Sequence, residues 1–156
     1  MLPPLIAAVL EPWRQYRANR SYGGSGHAII FSRSEDVQTV VDQFYRAKKT
    51  IAENLLLMTP KKESSALRTF LKQEFLRLRV THFSGNWCDW RIVQRALPGK
   101  AHFCLLVQNK FSDDAELADA SLIGGALAVL RVSKNVPLYI QLNSSSRRFA
   151  FAHNIE

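Results

Sequence analysis

Only two cysteines occur in the 156 residues, Cys88 and Cys104, too few and too far apart for a cysteine metal set. The four histidines, His27, His82, His102 and His153, lack the His-x-x-x-His spacing of a helical zinc site, so no metal or cofactor is expected. Acidic residues are scarce: 13 against 21 Lys and Arg, a formal charge of +8. No apolar run approaches the roughly 20 residues that a membrane-spanning helix requires. Leu2 to Leu10 is apolar but lacks the basic flank and cleavage site of a secretory signal. These absences point to a cytoplasmic protein without an integral membrane segment. In such a compartment the two thiols read as buried and free, with a Cys88–Cys104 disulfide as the alternative for an exported chain. Three of the seven glycines fall together at Gly23-Gly24-Ser25-Gly26. No Gly-Lys-Ser/Thr follows it and no strand precedes it, so it reads as a linker and not as a phosphate loop.

The sequence has the length and the apolar content, 47%, of one globular domain. Residues 1–26 read as an N-terminal arm and Gly-rich loop. The arm carries an apolar stripe (Leu5, Ile6, Val9, Leu10) and then arginines at every third position, Arg14, Arg17 and Arg20. That pattern suits an amphipathic helix docked on the domain, a helix offering arginines to phosphate, or a partner- or membrane-binding arm. Residues 27–77 read as mostly helical after a short strand at Ala28 to Phe31. Ser34 caps a helix with Glu35 and Asp36 in its first turn. Apolar residues at helical spacing (Val37, Val40, Val41, Phe44, Ala47, Ile51) extend it to about Leu57. A second helix over Lys61 to Arg79 buries Leu67, Phe70, Leu71 and Leu78.

Residues 78–153 read as sheet plus one helix. Leu78 to Phe83 and Trp90 to Arg95 have strand character. Leu97-Pro98-Gly99-Lys100 predicts a type II turn joining the second strand to a third at Ala101 to Gln108, as a hairpin. Ser112 opens a helix that runs to Lys134, with Asp113, Asp114, Glu116 and Asp119 at its positive end. Gly124-Gly125 inside it implies a close approach by a neighbouring element or a break. Leu138 to Leu142 is a further strand, and Arg147 to His153 alternates as a last one. The fold expected is therefore α+β: a helical N-terminal half packed on an antiparallel sheet of about five strands, crossed by one helix. The order β-β-β-α-β in residues 78–142 resembles the first part of the ribonuclease H-like fold. That resemblance implies metal-holding carboxylates on the first strand, in the helix and at the end of the fourth strand. Here the first strand carries none and the fourth ends at Asn143, leaving Glu116 and Asp119 in the helix.

The positive charge is concentrated. Residues 61–112 hold ten Lys and Arg and three acids, a net charge of +7. Arg91, Arg95, Lys100 and His102 would share the open face of the sheet, with Trp87 and Trp90 beside the tight turn and Arg68, Lys72 and Arg79 on the helix before it. Cations follow phosphates and aromatic rings stack on unpaired bases at roughly 1–3 kcal/mol each. The function this predicts is a non-catalytic nucleic-acid-binding (DNA or RNA) accessory subunit, single strands favoured. Its site is Arg68, Lys72, Arg79, Trp87, Arg91, Arg95, Lys100 and His102. The alternative is a protein-interaction subunit or adaptor of a larger complex, or a homo-oligomer, docking through the N-terminal arm and the 113–134 helix. A Cys/His nucleophile between His82 or His102 and Cys88 or Cys104 is the one catalytic arrangement these strands would allow, and enzyme activity is not expected.

Overall fold

Strands buried on both faces read as continuous apolar runs and not as alternating patterns. Ala28-Ile29-Ile30-Phe31 and Leu55-Leu56-Leu57-Met58 are two such runs, and all eight residues are essentially without solvent exposure. The computed structural model describes residues 21–33, 35–47, 54–60, 65–72, 79–108 and 115–142. In chain order the elements are β1 (Ala28–Phe31), α1 (Val37–Ala47), β2 (Asn54–Thr59), α2 (Ser65–Leu71), β3 (Arg79–Ser84), α3 (Trp90–Gln94), a short 3-10 turn (Pro98–Lys100), β4 (Phe103–Leu106), α4 (Ala115–Val132) and β5 (Leu138–Ile140).

The five strands form one sheet in the order β3-β2-β1-β4-β5. Every pairing is parallel. β1 lies at the centre, with Ala28 opposite Leu55 on one side and Phe103 on the other. β2 pairs with β3 from Asn54↔Arg79 to Thr59↔Ser84, and β4 pairs with β5 at Leu105↔Tyr139. The order reverses between β1 and β4, as in doubly wound α/β sheets.

Alternate strand residues face opposite layers. Ile29, Phe31, Leu56, Met58, Cys104 and Leu106 meet Trp87, Val93, Ala96, Leu122, Ala126 and Val129, the layer of α3 and α4. Ala28, Ile30, Leu55 and Leu57 meet Val37, Val41, Leu67 and Phe70, the layer of α1 and α2. The glycine pair in α4 marks a close approach. A Cβ at Gly124 would stand 2.8 Å from Cys88 Sγ, and one at Gly125 would stand 2.8 Å from Leu106 Cδ2 and 3.2 Å from Trp87 Cδ1.

This architecture corrects the α+β expectation. The fold is α/β with an all-parallel sheet, so neither the antiparallel sheet nor the β-β-β-α-β order exists, and the ribonuclease H-like resemblance lapses. Trp90 to Gln94 is the helix α3, capped by Asp89, whose side chain accepts from Arg91 N. The predicted hairpin turn is instead a 3-10 turn entered through Leu97 in a left-handed conformation (φ 51°, ψ 61°). Leu55 to Met58 continues no helix; it is the strand β2. The expected strands at Ala28–Phe31, at Leu78–Phe83 and within Leu138–Leu142 are present as β1, β3 and β5. The N-terminal arm through Arg20, the Ser34 and Ser112 caps, Asp113, Asp114, Asn143 and the Arg147 to His153 strand lie outside the described residues.

At the N-terminal edge of the sheet, residues 22–27 are strapped to the turn after α3. Tyr22 N donates to Arg95 O, Gly26 N to Lys100 O and His102 N to His27 O, each at 2.8 Å. The buried His27 ring donates from Nε2 to Ala96 O at 2.8 Å, which leaves Nδ1 deprotonated. Nδ1 is buried without a partner, and the Tyr22 ring lies 4.3 Å from the imidazole.

Candidate functional site

The sheet separates the basic residues singled out from the sequence. Arg68 and Lys72 belong to α2 and its end, on one layer. Arg91 and Arg95 belong to α3 and its C-terminal cap, on the other. Arg79 starts the edge strand β3, while Lys100 and His102 lie exposed at the N-terminal edge of the strands. Arg91 is engaged by Asp89 through two side-chain contacts, at 3.0 and 2.8 Å. That pairing holds the Asp89 carboxyl below the ordinary carboxylate range. Trp87 offers no stacking face: it is 2% exposed, packs edge-on against Phe31 and donates from Nε1 to Ser121 Oγ at 3.1 Å. Trp90 is the half-buried one, with the Arg131 guanidinium 4.8 Å from its ring centroid. The eight residues therefore do not converge on one surface.

The carboxyl edge of a doubly wound sheet, at the reversal of strand order, is where such folds take small ligands. Here Arg33 and Gln108 meet across that crevice. With its amide oriented to satisfy its neighbours, Gln108 donates to Ala118 O at 3.3 Å and accepts from Arg33 NH1 at 3.2 Å. Arg33 also pairs with Glu35 at 3.2 Å, and Thr59 Oγ1 hydrogen-bonds His82 Nε2 at 2.8 Å. The loop after β1, Ser32-Arg33-Ser34-Glu35-Asp36, contains no glycine to let a phosphate approach the backbone. His82 on β3 and His102 before β4 are separated by β2 and β1, so they do not lie on neighbouring strands as the sequence suggested.

Both cysteines are free, but only Cys104 is buried. Burial pushes the Cys104 thiol up to about 12. Cys88 is exposed beside α4, donates to Ser121 O at 3.6 Å, and is also raised, chiefly by partial desolvation. Thiolate is the reactive form. A thiol-reactive chromophore such as DTNB should therefore titrate Cys88 slowly in the folded protein and Cys104 only after unfolding. Equal reaction of both thiols without denaturant would contradict this placement.

The largest apolar exposure among the described residues is on α4. Leu117 is 68% exposed and Leu127 is 54% exposed. With the exposed Ala120 and Arg131 they lie at helical spacing on one outward face, while Ala118, Leu122, Ala126 and Val129 face the sheet. The sequence placed this helix correctly, but the number of apolar residues in it hid which ones face outward. Arg33 and Gln108 were also missed, because nothing local marks their meeting across the crevice.

Three comparisons with known proteins bear on the site. Residues 24–140 match the family model described as the calcium-activated potassium channel slowpoke-like RCK domain. Among solved structures, the human SLO3 gating ring aligns at a TM-score of 0.60 and 16% identity, over 81% of this chain and 21% of that one. The chain thus spans about a fifth of the length of that structure's chain, and the likeness is one of fold. No curated protein matches it. The family match, with the scattering of the basic residues, overturns the nucleic-acid-binding and DNA-binding readings and favours the protein-interaction alternative.

Proposed function

Because the chain belongs to the slowpoke-like RCK domain family of calcium-activated potassium channels, we propose that it is a regulatory domain that assembles with other protein domains, in the manner of a channel gating ring. The observation that carries this reading is the outward apolar face of α4. Two leucines more than half exposed on an 18-residue helix are a surface that solvent does not favour and a second domain would cover. The surrounding charge is modest, with Glu116 at the start of the helix and Arg131 at its end, an arrangement that suits the helix dipole. No helix among the described residues is long and apolar enough to cross a membrane. The domain would then act from the cytoplasmic side of a channel whose pore lies elsewhere.

The described residues do not fit a calcium centre: no group of three or more His, Cys, Asp or Glu side chains converges among them. Regulation is accordingly assigned to assembly and to the position of α4.

The test is the mass in solution. The protein should self-associate in a concentration-dependent way, measured by light scattering after gel filtration. The double substitution Leu117→Asp/Leu127→Asp should shift it to monomer without loss of the thermal transition, since both side chains project outward. A wild-type protein that is monomeric at high concentration, or a double variant that still associates, would remove the role given to this face.

A further inference from the structure

We propose that residues 22–26 form an acid-released clasp: when the His27 ring takes up a second proton, this segment leaves the turn after α3 while the sheet stays folded. The inference goes beyond the role given to α4 and does not depend on it.

Three observations meet here. First, the imidazole has no place for that proton. Its Nε2 already donates to Ala96 O, and Nδ1 is buried with no hydrogen-bond partner. An imidazolium presents two N–H donors, and a buried charged donor left unmatched is costly. Two responses relieve that cost: the ring stays neutral, or its cover opens and lets water reach Nδ1. Burial enforces the first near neutral pH. As the pH falls, the second takes over.

Second, the cover is slight and separable. The Tyr22 ring lies 4.3 Å from the imidazole. Tyr22 N donates to Arg95 O and Gly26 N to Lys100 O, bonds that belong to neither the sheet nor a helix. Ser21, Gly23 and Ser25 are exposed, so little apolar surface is given up when the segment moves. β1 begins at Ala28 and keeps its pairing with β2 and β4 without it. The turn that the segment grips is itself strained, since Leu97 stands in the left-handed region at φ 51°. Release of the segment lets that turn relax.

Third, the surrounding charges favour release. The titratable and charged groups on the elements packed around the ring are Tyr22, Arg95, Lys100 and His102, with Lys134 beyond the turn, next to the Ser133 that meets Gly99. The His102 ring lies against the clasp itself: a Cβ at Gly26 would stand 3.3 Å from its Nε2. Among the described residues, no Asp or Glu occurs in 21–31 or 90–107. An imidazolium at position 27 therefore meets cations and no counter-ion there, and protonation of the exposed His102 adds a further charge beside the clasp. The clasp is also where the chain enters the sheet, so the fold makes that point of entry sensitive to proton concentration.

The test is amide hydrogen exchange of the full chain, followed by NMR between pH 7 and pH 5 and corrected for the intrinsic pH dependence of exchange. One proton gained on opening lowers protection about tenfold per pH unit below the ordinary histidine value. Protection of the Tyr22 and Gly26 amides should therefore fall about tenfold or more, while the Ile30 and Leu57 amides keep theirs. His27→Gln, which retains a donor for Ala96 O, should abolish the change, and His102→Gln should displace it to higher pH. In the unmodified protein, the Tyr22 and Gly26 amide resonances should move with the same midpoint as the His27 ring resonances. Protection at Tyr22 and Gly26 that does not vary with pH would overturn the proposal. So would a fall shared by Ile30 and Leu57, which is unfolding and not release. A pH dependence that survives in His27→Gln, or amide and ring midpoints that differ, would overturn His27 as the trigger. An unshifted profile in His102→Gln would overturn the part given to His102.

Discussion

Replacing Trp87 by alanine is expected to cost about 3–5 kcal/mol of folding stability, the range for truncating a buried tryptophan. Trp87 lies in the loop between β3 and α3, and its ring is nearly fully enclosed. It joins the central strand to α4. Its ring packs edge-on against Phe31 of the central strand, with centroids 6.2 Å apart. Its Nε1 reaches Ser121 of α4, and its Cδ1 lies against the place where Gly125 lacks a side chain. Truncation would leave a cavity between the sheet and α4 that neither rigid element can collapse to fill. Trp87→Phe should cost less, losing the Ser121 hydrogen bond, worth about 1 kcal/mol, and some volume. Trp90→Ala is the internal comparison. That ring is half-buried, and its contact with Arg131 is an exposed cation–π pair worth roughly 0.5–1 kcal/mol. Urea unfolding midpoints with a common slope give the measurement. Equal losses for Trp87→Ala and Trp90→Ala would show that Trp87 is not the anchor of α4.

The second large effect is a loss of stability in mild acid. Burial lowers the His27 pKa below the ordinary histidine value of 6.5; the Ala96 hydrogen bond opposes that shift, and the nearby His102 adds to it. A histidine with a depressed folded-state value binds fewer protons when folded than when unfolded. Its stabilising contribution is thus complete above about pH 6.5 and is lost as the pH falls through that value toward the folded one. A single group of this kind gives a slope of at most about 1.4 kcal/mol per pH unit. The structural cause is Nδ1, which is buried with no acceptor for the proton it would gain. His27→Gln keeps a donor for Ala96 O and cannot titrate. Its stability should vary less between pH 5 and pH 7 than that of the unmodified protein. If the two pH profiles coincide, His27 is not the acid-sensitive group.

How far the sequence could be read depended on the range of the interactions involved. α1 and α4 were legible because helical periodicity is local: Val37, Val40, Val41 and Phe44 announce one, and the run from Leu117 to Leu130 the other. β1, β3 and β5 were legible as strands from their composition. Their direction was not, because parallel pairing joins residues far apart in the chain and leaves no mark in either partner. Asn54 to Thr59 looked like the end of a helix because a strand buried on both faces does not alternate. Trp90 to Gln94 looked like a strand because five residues rich in bulky and β-branched side chains are too few to display a helical period. Those two misreadings suffice to turn a doubly wound sheet into an antiparallel one. They also gathered Arg91, Arg95, Lys100 and His102 onto a face that does not exist. The charge concentration in residues 61–112 was real, but charge along the chain does not say which side of a sheet it will occupy.

The central position of β1 has a consequence for how the chain can acquire this structure. β1 precedes the other four described strands in the chain, yet one of its two neighbours, β4, consists of residues 103–106. Until those residues have left the ribosome, Ala28 to Phe31 has an open flank on that side, and the most apolar segment of the domain is an unmatched strand edge. Contacts so distant in sequence slow folding, since the intervening chain must be closed before they are rewarded. The nascent domain should therefore depend on protection by a chaperone during synthesis, and a chain stopped before β4 should aggregate and not fold into a smaller version of the sheet.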